Sequence, residues 1–251
     1  MAQFSLQGKT AYVTGGNGLI GRAICKTLAE LGATTVSLDV VGNRDSGIIH
    51  RPFDITDSKG LETAISALFR DCGTADIWVN CAYPRPEGYY SADPDHITPD
   101  AWRKAVELLL DSYCLCSATV ARQMADAAHP GSIVNLSSIY GHVGPDFSLY
   151  DGTKITPTPP PYAAIKAGIQ GHSRYLACQY GPRGIRVNTV SPGGVEDNQD
   201  KTFRERYCAG TPLRRMASPD DVAGAVAFLA SDAAAYVTGI DLPVDGGRLA
   251  Q

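Results

Sequence analysis

The chain has 251 residues, 44% of them hydrophobic and 19% charged, and carries a formal net charge of −4. That length suits one large α/β domain or two small ones, and the apolar share can bury a core without help from disulfides or metals. Scattered charges of slightly acidic balance give no electrostatic basis for binding nucleic acid or an anionic membrane.

In chain order, the opening "MAQFSLQGKT" lacks the apolar centre of a signal peptide, and no later apolar run reaches the length of a membrane span, so a soluble, cytoplasmic protein is expected. Short apolar runs then alternate with longer helical patterns. Strands are predicted at "TAYVT" (10–14), "TTVSLDV" (34–40), "DIWVNCA" (76–82), "GSIVNLSS" (131–138), "IRVNTVSP" (185–192) and "IDLPVDG" (240–246). Several are apolar throughout, as parallel strands covered on both faces are. Helices are predicted over 19–31, 61–70, 101–128, 162–180 and 219–230, the last opened by Ser218, Pro219, Asp220 and Asp221. The alternation implies an α/β fold around a doubly wound parallel β-sheet. Two stretches interrupt it, 83–100 and 139–161, and both read as long loops of the kind kept for binding or lids. The seven cysteines show neither disulfide nor metal-ligand spacing, so free thiols in a reducing compartment are the plainer reading and no metal is expected.

The first predicted strand runs directly into "TGGNGLIG" (14–21), where Gly16, Gly18 and Gly21 match G-x-G-x-x-G and Gly15 adds a fourth glycine. A lone match means little, but this one follows a strand, opens a helix and has Asp39 ending the next strand, which is the context of a dinucleotide-binding turn. Gly15, Asn17, Gly18, Leu19 and Ile20 are the candidate contacts, with a diphosphate resting on the helix N-terminus. Asp39 is placed to accept from ribose hydroxyls and to repel a 2′-phosphate, and no arginine follows before Arg44, so NAD is expected over NADP. Asp54 and Ile55 are placed at the adenine edge, and Asn80, Cys81 and Ala82 at a strand end lining the cofactor.

Y-x-x-x-K occurs twice, as Tyr150 with Lys154 and as Tyr162 with Lys166. Tyr162 opens an uninterrupted helical pattern, so its side chain and that of Lys166 share a face, and the ammonium can draw the phenol from about 10 toward working pH. Gly152 and the prolines at 157 and 159–161 deny Tyr150 and Lys154 any such helix. Ser138, at the end of a predicted strand, can polarise the reacting oxygen, although a strand-end serine alone is usually a turn former.

Taken in order, "TGGNGLIG", Asp39, "VNCA", "VNLSS", "YAAIK", "IRVNTVSPGG" and "FLASDAAAYVTGIDLPVDGG" resemble the short-chain dehydrogenase/reductase family over essentially the whole chain. The resemblance implies one three-layer, Rossmann-type domain spanning 1–251 and a nicotinamide cofactor. It also implies a catalytic trio of Ser138 (holding the reacting oxygen), Tyr162 (acid/base) and Lys166 (ribose contact and tuning of Tyr162). Pro192, Gly193 and Val195 then border the nicotinamide, and a homotetramer or dimer built through helices 101–128 and 162–180 is expected. The "YDGT" element and "SPGGVEDNQ" are similar to a subgroup in bacterial surface-sugar and flagellin-glycan pathways, the flagellin modification protein A group. Three departures stand out: the T-G-x-x-G-x-x-G glycine spacing, Leu109 where the family usually places a proton-relay asparagine, and the lengthened 139–161 segment.

Several residues keep two readings. His142 either contacts substrate or is a satisfied loop histidine. Tyr150 and Lys154 act as an acid/base pair, belong to a substrate-contacting lid, or form a structural insertion. Glu196, Asp197 and Asn198 close over the site or form a solvated loop, and Arg85, near Tyr83, Tyr89 and Tyr90, binds an anion or lies on the surface. The expected function is oxidation of a secondary alcohol, or the reverse, on a small sugar-derived or otherwise polyhydroxylated substrate. The competing expectations are a 3-oxoacyl-type ketone reductase and a non-catalytic nucleotide-binding regulator.

Overall fold

The strands run Thr10–Thr14 (β1), Thr34–Asp39 (β2), Ile49–Pro52 (β3), Ile77–Asn80 (β4), Gly131–Leu136 (β5), Ile185–Pro192 (β6) and Asp241–Val244 (β7) in the computed structural model, which describes residues 2–42, 47–89 and 96–251. All pair in parallel, in the order β3-β2-β1-β4-β5-β6-β7. The helices are Leu19–Glu30 (α1), Leu61–Cys72 (α2), Pro99–Ala105 (α3), Ser112–Asp126 (α4), Pro160–Tyr180 (α5), Lys201–Ala209 (α6) and Pro219–Ala230 (α7). The expected three-layer, Rossmann-type doubly wound sheet is therefore observed.

Alternation along each strand feeds two cores. Tyr12, Trp78, Ile133 and Val187 point to one face, where they meet α2, α4 and α5 through Ile65, Val120, Met124, Ile165 and Ile169. Val13, Val79, Val134 and Val190 point to the other and meet α1 and α7 through Ile24, Leu28, Val222 and Val226. Helix α7 starts on a capping box, in which Ser218 Oγ accepts from Asp221 N and the Asp221 carboxylate accepts from Ser218 N. Helix α5 places Pro160 and Pro161 in its first turn, where the missing N–H costs nothing. The proline run thus starts the helix two residues ahead of the predicted Tyr162.

Three elements depart from the sequence reading. "IHRP" is a strand despite its polar, proline-bearing composition, because β3 is an edge strand paired only with β2 and largely exposed. Helix α6, "KTFRERYCA", went unread because only Phe203 and Tyr207 are buried along it; Asp200 caps it by accepting from Thr202 N and Phe203 N. The single helix expected over 101–128 is corrected to α3, a π-helical turn at Val106–Asp111, and α4. Ser112 Oγ donates to Leu108 O at 2.6 Å, occupying a carbonyl of the ordinary ladder at the point where the turn widens.

Among the described residues no helix is long and apolar enough to cross a membrane, and no cluster of metal-ligating side chains occurs. All seven cysteines are free thiols. Arg44 and Tyr90, both weighed from the sequence, lie outside the described residues.

Candidate active site

The crossovers reverse direction between β1 and β4, and a crevice opens there at the carboxyl ends of the strands. Register brings Thr14 level with Leu38 on one side and Asn80 on the other, so the turns after β1, β2 and β4 meet. A cleft of about 570 Å³ runs from Gly15, Gly18, Leu19 and Ile20 past Asp39, Asp54 and Ile55 to Cys81, Ala82 and Tyr83. Gly15 takes φ +66°, and a Cβ on it would lie 2.6 Å from Ala82 Cα, so only glycine allows β1 to turn this close to β4. Helix α1 starts after Gly18, which supplies no side-chain cap, and Gly18, Leu19 and Ile20 line the cleft, so its first amides are left open there. A cleft lined by the uncapped start of α1 together with Asp39 and Asp54 suits a dinucleotide diphosphate with its riboses.

Two of the expected cofactor residues support the cleft rather than line it. Asn17 N donates to Asp39 Oδ2 at 3.0 Å, its Oδ1 accepts from Ser37 Oγ at 2.8 Å, and its Nδ2 donates to Val41 O, which ties the glycine turn to the end of β2. Asn80 is fully buried. Its Oδ1 accepts from Trp78 Nε1, and its Nδ2 donates to Ser117 Oγ and Asn135 Oδ1.

A second cavity, of about 540 Å³, adjoins the cleft and shares Ile20, Cys81 and Tyr83 with it. Ser138, Tyr162 and Lys166 line this cavity together, as do Pro192, Gly193 and Val195 from the end of β6. Ser138 caps a short 3-10 turn by accepting from Tyr140 N at 3.2 Å. Neighbouring Ser137 Oγ donates to Lys166 O at 3.0 Å and so fastens α5 to the end of β5. The Lys166 ammonium lies 5.6 Å from the Tyr162 ring centre and donates to Leu136 O at 2.8 Å. Burial pulls its pKa down from 10.5 to about 8, with Cys81 acting in the other direction.

The four substrate candidates separate. Tyr150 lines the cavity, with Thr158 Oγ1 3.5 Å from its hydroxyl. Lys154 is exposed and outside the lining. Asn198 is exposed in the left-handed region at φ +56°, and its neighbours reach the site instead, Asp197 at the cleft and Gln199 at the cavity. His142 sits outside the lining, with Nε2 2.7 Å from Asp241 Oδ2 and 3.0 Å from Gln170 Nε2. Arg85 borders the dinucleotide cleft and stacks 5.6 Å over Tyr83.

Sequence reasoning missed much of the cavity wall: Tyr113, Tyr140, Thr158, Phe203, Tyr207 and Met216. Tyr113 had a signal, standing four residues after Leu109 in a helical pattern. Phe203 and Tyr207 had none once α6 was overlooked.

Residues 17–248 match a family model described as enoyl-(acyl carrier protein) reductase. The chain is 36% identical to the cis-4-hydroxycyclohexanecarboxylate dehydrogenase of Sinomonas cyclohexanicum, over 96% of this chain and 97% of that one. It is 33% identical to the 3-oxoacyl-acyl-carrier-protein reductase of Escherichia coli (97% and 98% covered) and 31% identical to the post-translational flagellin modification protein A of Campylobacter coli (96% and 98%). Among solved structures it resembles a short-chain dehydrogenase from Leptospira borgpetersenii with bound NAD+, at TM-score 0.87 and 32% identity, covering 99% of this chain and 95% of that one. It also resembles a gluconate 5-dehydrogenase from Burkholderia cenocepacia in complex with NADP and tartrate, at TM-score 0.84 and 28% identity, covering 99% and 98%.

Proposed function

We propose that this chain, which belongs to the short-chain dehydrogenase/reductase family, interconverts a secondary alcohol and a ketone on a small polyhydroxylated, sugar-derived substrate, with Tyr162 as the acid/base. The observation that carries the reading is the convergence of Ser138, Tyr162 and Lys166 on one cavity adjoining a cleft lined by the glycine turn and Asp39. A nicotinamide dinucleotide supplies the hydride acceptor or donor when bound. Tyr162 takes the proton from the alcohol oxygen in oxidation and returns it in reduction. Lys166 favours the tyrosinate by its charge, and Ser138 Oγ holds the reacting oxygen by a hydrogen bond. Gly15, Gly18, Leu19 and Ile20 receive the diphosphate, and Pro192, Gly193 and Val195 border the nicotinamide.

Two finer assignments belong to the same reading. NAD is preferred over NADP, because Asp39 closes β2 at the ribose end of the cleft, where a carboxylate repels a 2′-phosphate. The substrate is hydroxylated and uncharged. The cavity offers the hydroxyls of Tyr150, Thr156, Thr158 and Tyr207 and the amide of Gln199, while Lys166 is its one charged lining side chain among the described residues. Aromatic rings and neutral polar groups suit the alternating faces and hydroxyls of a sugar ring, and the one ammonium, already bonded to Leu136 O, is a poor match for a phosphate's charge. A homo-oligomer formed through the long helices is consistent with the exposed Trp102, Leu115 and Tyr175 on α3, α4 and α5. Seven free thiols fit a reducing, cytoplasmic setting.

The test is a dehydrogenase screen of the purified protein with NAD and NADP against neutral sugars, aminosugars, their phosphates and a 3-oxoacyl thioester. Turnover is expected with NAD and a neutral polyol; preference for the thioester would favour the ketoacyl reductase reading instead. Tyr162→Phe should bind NADH as the native protein does and lose turnover by roughly 10²–10⁴-fold. Full activity in that variant would remove Tyr162 from the mechanism.

A further inference from the structure

Lys166 is 6% exposed on a helix packed against the sheet, and an ammonium has three protons to place. Its hydrogen bond among the described residues goes to Leu136 O, 2.8 Å away. Among the described residues no carboxylate is paired with it; the groups that face it are the Cys81 thiol from the end of β4, the phenols of Tyr113 on α4 and Tyr162 on α5, and Tyr83 from the loop after β4. Leu109, four residues before Tyr113 and 2% exposed in the same core, is aliphatic and supplies no polar group of its own. A buried cation held by one carbonyl needs further compensation to stay charged.

That compensation is aromatic. The ammonium lies 5.3 Å from the ring centre of Tyr113, 5.6 Å from that of Tyr162 and 6.0 Å from that of Tyr83, all within reach of the ring quadrupole. Each ring is fixed by contacts of its own. Tyr113 is buried and donates its hydroxyl to Ala82 O at 2.8 Å. Tyr83 meets Tyr162 edge to face, with centroids 5.9 Å apart and planes at 83°, and Tyr140 meets Tyr162 in the same way at 6.3 Å and 81°.

We propose that Tyr113 and Tyr83 are positioning residues that, with Tyr162, form an aromatic cage around the Lys166 ammonium and keep it charged beside the catalytic phenol. The inference rests on the dehydrogenase reading only for its catalytic consequence; the cage itself is a statement about Lys166. Rings favour the protonated amine, so they oppose the burial that draws Lys166 down to about 8. Removing a ring therefore lowers the value further, whereas removing only a hydroxyl leaves it in place.

Lysine labelled with ¹³C at Cε, observed by NMR in the full-length protein without added nucleotide, reads this directly, with Lys166→Met assigning the resonance. Tyr113→Phe is expected to titrate within about 0.3 unit of the native protein, and Tyr113→Leu lower by roughly half a unit to one unit. Tyr83→Leu, on a loop, gives the same direction and serves should Tyr113→Leu fail to fold. If the Leu and Phe variants titrate alike, or if a Leu variant titrates higher, the cage is overturned. The pH profile of kcat for alcohol oxidation should shift in its basic limb in the same direction as the NMR value, since loss of the Lys166 charge removes the cation beside the catalytic phenol. A native protein that oxidises no alcohol would defeat the dehydrogenase reading, while the titration would still decide the cage.

Discussion

Asp39 holds two backbone amides at once: Oδ2 accepts from Asn17 N at 3.0 Å and Oδ1 from Val41 N at 3.1 Å. One carboxylate thus shapes the glycine turn and lines the cleft beside it. Asp39→Asn keeps the size and an acceptor oxygen while removing the charge. We expect its NAD efficiency to fall and its NADP-to-NAD ratio to rise by about tenfold, on the basis that one charge contact at a close site contributes about 1–2 kcal/mol. Steady-state kinetics with both cofactors checks this, and an unchanged ratio would show that selectivity lies elsewhere. At this scale the sequence was informative wherever the chemistry was local. Tyr162 and Lys166 are four apart on one helix, and no tertiary knowledge is needed to pair them. Tyr150 and Lys154 share the spacing but not the backbone: Tyr150 ends a 3-10 turn and lines the cavity, while Lys154 lies exposed after Gly152 at φ +68°. His142 was unreadable in advance, because its partner Asp241 comes from the far end of the chain.

Between elements, a closed polar network underlies the site. Asn80 on β4, Asn135 on β5, Ser117 on α4 and Ser173 on α5 are buried and joined by bonds of 2.8–2.9 Å. It lies one residue before Cys81, which lines both cavities, and one before Leu136, whose carbonyl holds Lys166. Satisfied buried networks fix geometry, and removing one member leaves the others unpaired in a low dielectric. Asn135→Leu should lower unfolding free energy by about 1–3 kcal/mol, measured by urea titration, and weaken NADH binding as well. A stability loss with unchanged binding would confine the network to a structural role. Element boundaries were readable where amphipathic pattern and caps agreed, as in α7, predicted to the residue. They failed where side-chain bonding overrode pattern, as at the π-helical turn beside Ser112.

Across the molecule, burial falls into two large cores against the sheet and one small satellite. Leu149, Phe203, Tyr207 and Met216 form that satellite, with Tyr150, Ile155 and Cys208 packed on it. It joins the 147–155 segment to α6, and Arg206 Nη1 reinforces the joint by donating to Ser148 O at 3.1 Å and to Asp151 O. A cover resting on so small a core should open without unfolding the sheet. Hydrogen exchange is expected to be faster in 147–158 and in α6 than in β1, β4 and β5, and to slow when NADH and substrate are added together. Equal protection across all of these segments would show that the cover is part of the main core.

The sequence by itself determined the layered α/β architecture, the glycine turn with its following acidic residue, and the tyrosine–lysine pair, because each is written in neighbouring residues through periodicity, turn chemistry or helical spacing. Only the tertiary structure decided what surrounds them. The aromatic wall of the cavity, the cage around Lys166 and the joining of the 139–161 segment to α6 gather side chains from the loop after β4, α4, α5 and α6 that are distant along the chain. Parallel strand order brings those segments together at one sheet edge, and no local pattern encodes which distant side chains will meet there.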